Sequence, residues 1–201
     1  MILIGYSGHA FVAYGILQSA GKQVTGYCDV EEKEYNPFNL VYLGTETSEE
    51  TIKKLQATDF FIAVGDNRIR SKIYHQLSKQ NLVSVNAIHT SAVIDPSANM
   101  ATHGVMIAAQ VTINPLASIG IGAICNTGCI IEHECMVGEF AHIGPGAVLC
   151  GNVKIGDGTF VGANAVIRQG ISIGKNAIVG AGAVVVKNVP DNVTVVGVPA
   201  K

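Results

Sequence analysis

The chain has 201 residues, enough for one large domain or two small ones with an ample core. Its net charge of −2 excludes the strongly basic field that nucleic acid or an anionic membrane surface demands, so small molecules and copies of the chain itself are the expected partners. The apolar start, residues 1–4, is too short for a signal peptide or a membrane span and is broken by Gly5, which makes the cytoplasm the expected compartment.

Residues 1–4 read as a strand running into Gly5-Tyr6-Ser7-Gly8-His9, followed by helical spacing over residues 10–20 with Gly21 as the closing residue. Residues 23–28 form a second strand ending at Asp29, so the chain opens with a βαβ unit. The loop lacks the full G-x-G-x-x-G fingerprint. Its glycines still let backbone N–H groups approach a phosphate at a helix N-terminus, and Asp29 stands where an acidic residue binds a sugar or ribose hydroxyl. Residues 31–40 are polar, contain Pro37 and read as a loop. Thr47-Ser48-Glu49-Glu50 resembles a capping box opening a short helix to Gln56. The continuous apolar run 60–64 reads as a parallel strand covered on both faces, ending at Gly65-Asp66-Asn67. A helix follows, with Asn67 as N-cap and Ile69, Ile73 and Leu77 on one face. Residues 83–88 read as the next strand. This alternation predicts a small Rossmann-like α/β domain over residues 1–88, whose ligand crevice lies at the Gly5 loop, Asp29 and Gly65.

From residue 107 the pattern changes. Counting in sixes from Ile107 to Val185, every residue is Ile, Val, Leu or Cys, and the residue four places later is always small or β-branched. With 48% hydrophobic residues overall an arbitrary register would be apolar about half the time, so the phase is a signal. Six fits neither the 3.6 of an amphipathic helix nor the 2 of a half-buried strand. It fits a short strand and a corner, three of which close a triangular coil of eighteen residues; coils stack as parallel strands about 4.8 Å apart. Glycines directly after the apolar position, such as Gly120, Gly138 and Gly162, are expected at tight corners that need positive φ and have no room for a side chain. The prism domain spans residues 89–201. Ile94 and Ala98 are repeat-like but out of phase, and the tail from Val193 is placed to cap the open end. Cys125, Cys129 and Cys135 fall on inward positions, where a thiol acts as a small hydrophobe. Cys28 and Cys150 have no metal or redox spacing.

Glu132, His133, Glu134 and His142 interrupt the bland coils. A lone histidine on a β surface is often only solvated, but flanking carboxylates favour a general base working near neutral pH. Nine residues is half a coil, so His133 and His142 of one chain lie on different sides of the prism. If both serve one site they come from different chains, as in a threefold assembly with sites between subunits.

The motifs Asn126-Thr127, Glu132-His133-Glu134, Gly138-Glu139-Phe140-Ala141-His142 and the terminal Gly197-Val198-Pro199-Ala200-Lys201, with Gly5-Tyr6-Ser7-Gly8-His9 and Ala63-Val64-Gly65-Asp66-Asn67, resemble the bacterial sugar O- or N-acetyltransferases with hexapeptide repeats. That family is sialic acid O-acetyltransferase-like and includes UDP-N-acetylbacillosamine N-acetyltransferase; the resemblance covers essentially the whole chain. It implies a left-handed parallel β-helix, acetyl-CoA as donor without a metal, and a UDP-linked amino sugar as acceptor of an N-acetyl group. The assembly expected from the spacing of His133 and His142 is a homotrimer. By the same resemblance His133 is the general base supported by Glu134, and His142, Ala163 and Ala181 meet acetyl-CoA. Ser7, Gly8, His9, Asp29 and Gly65 hold the nucleotide sugar. O-acetylation of a sialic-acid-like sugar is the alternative acceptor chemistry. Two other classes stand beside it: a zinc hydratase, for which three imidazoles are needed and only His133 and His142, with His103 before them, are at hand, and a non-catalytic nucleotide-sugar-binding trimer.

Overall fold

A computed structural model describes all residues 1–201. Three of the first four strands are three-residue segments of wholly buried side chains: β1 (Ile2–Ile4), β2 (Gly26–Cys28) and β4 (Phe60–Ile62). With the two-residue β3 (Val41–Tyr42) they form a fully parallel sheet of order β3-β2-β1-β4. Helices α1 (Gly8–Ser19), α2 (Glu49–Ala57) and α3 (Asn67–Ser78) connect and cover it. No helix is long and apolar enough to cross a membrane.

Two helix starts differ from the expected ones by a residue. Ser48 caps α2, its Oγ accepting from Thr51 N at 3.2 Å. At α3 the cap is Asp66, whose Oδ1 accepts from both Arg68 N and Ile69 N at 2.9 Å, so Asn67 is already helical. A carboxylate satisfies two orphan donors here where an amide oxygen was expected to serve. The buried stripe of α3 is correspondingly Arg70, Ile73 and Leu77, while Ile69 is half exposed.

The expected strand over residues 83–88 also changes sheets. Val85 N donates to Phe60 O at 3.0 Å, alongside the α/β sheet, but β5 (Ala87–Ile88) turns away and pairs with Met106–Ile107 of the prism. From β5 onward the chain is a triangular parallel β-helix of two-residue strands in sheets of five, six and seven. The eighteen-residue register holds through the middle coils, Cys125 facing Ile143 and Ile143 facing Val161, and shortens to sixteen in the last turn, where Val179 faces Val195. The first coil has nineteen. Ile88, Ile94 and Met100 pair with Ile107, Ile113 and Ile119, and the additional residue is taken up between Met100 and Ile107. That extra residue is why Ile94 and Ala98 look out of phase. At the far end Val184 N donates to Gly197 O at 3.0 Å and Ala200 N to Val184 O at 2.9 Å, so the tail folds onto the last coil.

The corner glycines divide into two kinds. Those directly after the apolar position do not adopt positive φ; they are there for close approach, since a Cβ on Gly156 would stand 2.6 Å from the backbone carbonyl carbon of Gly174. Positive φ falls two residues later, at Gly122, Gly128, Glu134, Phe140, Gly146, Asn152 and so on in sixes. This corrects the expectation that one glycine does both jobs: the chain bends at one position and touches the neighbouring coil at another. The two kinds should respond differently to substitution in thermal or denaturant unfolding. Gly156→Ala forces two backbones apart and is expected to lose at least about 2 kcal/mol. Gly170→Asn, at φ +73° with nothing within 4 Å of its Cβ position, should be within about 0.5 kcal/mol of the parent, because asparagine tolerates the left-handed region.

Candidate functional site

The residues singled out in the sequence fall into three groups. The first is an exposed prism corner. His133 Nδ1 lies 3.1 Å from Glu134 Oε2, and His133 N donates to Glu132 Oε2 at 3.4 Å. Glu134 has φ 59°, a conformation in which a residue with a Cβ is strained by about 1–2 kcal/mol. One coil on, Gly151 lies against the His133 ring; a Cβ there would be 2.5 Å from both Cε1 and Nε2. The ring is thus seated on a glycine and tied at one nitrogen. A carboxylate only accepts, so Nδ1 carries the proton and Nε2 is left as the basic nitrogen.

The second group gathers at the carboxyl ends of β1, β2 and β4. Ser7 is the N-cap residue of α1 but makes no side-chain capping bond, leaving its hydroxyl and the first-turn N–H groups uncommitted. Asp29 is more occupied than expected. Its Oδ2 accepts from Tyr6 N at 2.9 Å and its Oδ1 from Val30 N at 2.7 Å, with Lys33 Nζ 3.4 Å away. The carboxylate therefore ties the end of β2 to the Gly5–Ser7 loop, and its remaining lone pairs are what a sugar hydroxyl would meet. His9 packs its ring on Gly65, where a Cβ would be 3.2 Å from His9 Cγ.

His142 belongs with this second group in space. It lies on the prism face that the α/β domain covers, is only 8% exposed, and its ring centroid is 5.9 Å from that of His9. Asn126 Nδ2 stands 3.2 Å from its Nε2, and Phe160 meets it edge to face at 5.1 Å. His9 Nε2 and His142 Nδ1 are buried without a hydrogen-bond partner. Burial first, and the Arg70 cation second, push both rings down to about 4 from the ordinary 6.5, so both are neutral at physiological pH. The third group, Ala163 and Ala181, stacks one coil apart along another edge, with Gly182 N donating to Ala163 O at 2.8 Å. Sequence reasoning missed Arg70 and Asn67, which join the two domains. A charged residue at the start of the apolar i, i+3, i+7 row of α3 was the available signal.

The neutrality of His9 and His142 has a measurable consequence for stability. The unfolded chain takes up protons on these rings near pH 6.5 and the folded chain only near 4. Between those values the unfolded state binds more protons, so stability falls as pH falls, by at most about 1.4 kcal/mol per pH unit for each ring. Denaturant midpoints from pH 7.5 to 4.5 should show this slope, and it should flatten in His142→Gln. An unchanged slope in that variant would show that His142 titrates normally in the folded protein.

Residues 1–77 match the PglD N-terminal domain and residues 152–187 the hexapeptide repeat of succinyl-transferase. PerB from Caulobacter crescentus, solved with CoA and GDP-perosamine, is 37% identical, with 100% of this chain and 95% of that one covered and a TM-score of 0.91. A variant of the perosamine N-acetyltransferase from the same organism, in complex with the same two molecules, is 36% identical, covering 100% and 94%, with a TM-score of 0.92. The acetyltransferase domain of PglB from Neisseria gonorrhoeae, solved with acetyl coenzyme A, is 30% identical, covering 100% and 97%, with a TM-score of 0.89. An α/β domain with a parallel sheet followed by a left-handed hexapeptide β-helix is common ground for all of them. The chain belongs to the hexapeptide-repeat sugar acetyltransferases that carry a PglD-type N-terminal domain, and is an acetyl-CoA-dependent acyltransferase of that family.

Proposed function

We propose that the protein transfers the acetyl group of acetyl-CoA to the amine of a nucleoside-diphosphate-linked amino sugar, directly and with His133 as general base. The observation that carries this reading is the corner itself: a strained Glu134 that holds Nδ1 of a histidine seated on Gly151. His133 Nε2 takes the proton of the amine as nitrogen bonds to the thioester carbonyl. The tetrahedral adduct then expels the CoA sulfur, which receives that proton, and His133 returns to its neutral form. Ser7, Gly8, His9, Asp29 and Gly65 hold the nucleotide sugar, the first turn of α1 facing the diphosphate. Ala163, Ala181 and the remaining edge of His142 line the acetyl-CoA path. For the base, the family resemblance favours uridine, and the GDP-perosamine complex of PerB favours guanosine.

The site is completed between copies of the chain. His133 and the Ala163–Ala181 row lie on different edges of one prism, so a second copy must bring them together, and a closed ring of three does so at each junction. A lateral face supports such packing: Val93, Thr112, Ile130, Val148, Val166 and Val184 stand in register along it, apolar but for Thr112.

Three measurements test the reading. His133→Ala should lower kcat by about 10² to 10⁴ with the fold intact; near-normal turnover sinks the assignment. Glu134→Asn should leave stability unchanged or raise it by about 0.5–1 kcal/mol, since asparagine suits the left-handed corner, while turnover falls at least about tenfold. Finally, refolded mixtures of two inactive variants, His133→Ala and Ala163→Trp, should regain activity at about one site in four if each site draws on two chains. Sites within one chain would give no recovery. Assaying UDP- and GDP-linked amino sugars in parallel identifies the base.

A further inference from the structure

Arg70 is the most deeply buried charge in the protein, 1% exposed, and it sits where the α/β domain meets the prism. All five of its N–H groups find an oxygen. Nε donates to Gly122 O at 2.8 Å and Nη2 to Phe140 O at 2.8 Å, two prism carbonyls one coil apart. Nη1 donates to Val64 O at 3.1 Å and Gly65 O at 3.0 Å, the carbonyls at the end of β4, and Nη2 also donates to Asn67 Oδ1 at 2.9 Å. None of these acceptors is a carboxylate. A buried cation with only neutral dipoles as partners is costly as a mere adhesive, and apolar packing would join two surfaces at lower cost. What a saturated guanidinium supplies instead is direction, because its fork fixes five oxygens in one plane.

The carbonyls it fixes stand next to the groups proposed to hold the two substrates. Gly65 is the shelf on which the His9 ring lies, and His9 faces His142 at 5.9 Å. Arg70, Gly65, His9 and His142 therefore form one contiguous layer from the strand-end crevice to the prism face. Asn67 adds a parallel tether, its Nδ2 donating to Gly158 O at 2.9 Å and to Thr159 O at 3.3 Å. We propose that Arg70 is a positioning residue for the transfer: it sets the register of the acceptor-holding loop on the prism face that carries His142, and with it the distance between amine and acetyl group. The inference rests on the acetyl-transfer reading above and names a residue that touches neither substrate. Misplacement of reacting groups by about 1 Å costs roughly 10² in rate, so a small slip at this seam is enough to be felt at the chemistry. Arg70 also bears on the charge state of the layer. The charged or titratable groups facing the two rings are Arg70 and the rings themselves, and Asp66 is the acid that faces Arg70.

The test uses the chain of residues 1–201 with Arg70→Lys, which keeps the charge and loses the fork, and Asn67→Ala, which removes the second tether and one acceptor of Arg70 but leaves its four bonds to backbone carbonyls. Both are first checked for folding by thermal melting. Arg70→Lys should lower kcat by about 30- to 100-fold, and Asn67→Ala by about 3- to 10-fold, with KM for acetyl-CoA within about twofold of the parent. A folded Arg70→Lys with parental kcat overturns the proposal. So does a loss of activity in both variants that only follows the fraction of folded protein. A second readout does not depend on turnover: in Arg70→Gln the His9 and His142 ring titrations, followed by NMR, should move up toward 6.5, and amide exchange at Gly65 should quicken. Unchanged rings and exchange overturn the positioning role even if the parent proves inactive on every nucleotide amino sugar, an outcome that would instead refute the acetyl-transfer reading.

Discussion

Two stacked coils of this prism are about 4.8 Å apart, and that spacing governs the rest of the structure. Where a glycine follows the inward aliphatic it leaves no room for a Cβ: the ideal position at Gly162 falls 2.5 Å from Ala181 N. From Gln110 to Gly182 each corner also turns through a left-handed residue, three places after the inward aliphatic. Side chains at these corners consequently appear in fixed places, one above another, with their directions set by the backbone. His133 exploits this: the residue stacked against its ring is Gly151, and its neighbour Glu134 occupies the left-handed place, so both partners of the histidine are dictated by the coil.

The repeat was readable because its period is written in side chains that must all face one axis, and the exposed His133–Glu134 pair because charged residues interrupt it. The misreadings have local causes. Residues 83–88 have the composition of a strand in either sheet, and only the tertiary register of Ala87 against Met106 decides which. Periodicity counts only apolar residues and so takes Ile69 into the α3 stripe; the buried member is Arg70, whose burial depends on carbonyls 52 and 70 residues away in sequence. The same holds for His142. Its place in the hexad was legible, but not that a domain from the start of the chain would cover it.

The two domains contribute different kinds of precision. The prism is repetitive and rigid, and presents His133 on an edge. The α/β domain provides free helix N–H groups and hydroxyls at the ends of short buried strands. Between them lies a polar seam of Arg70, Asn67, His9 and His142, hydrogen-bonded on the prism side to backbone carbonyls. Backbone carbonyls of a solenoid do not move independently, so the seam inherits the stiffness of the coils.

The tail on Val184 has a consequence for assembly. A stack of parallel coils ends in a row of unpaired N–H and C=O groups, and nothing in the repeat itself stops another copy from adding there. In this chain the last coil gives Val184 N and O to Gly197 and Ala200, and Val196 and Lys201 bond reciprocally to each other, N–H to oxygen in both directions. On this side of the triangle the growing edge is replaced by a turn whose hydrogen bonds are satisfied internally. A copy arriving along the prism axis therefore finds no free strand at Val184, and the flanks of the prism stay open to another copy.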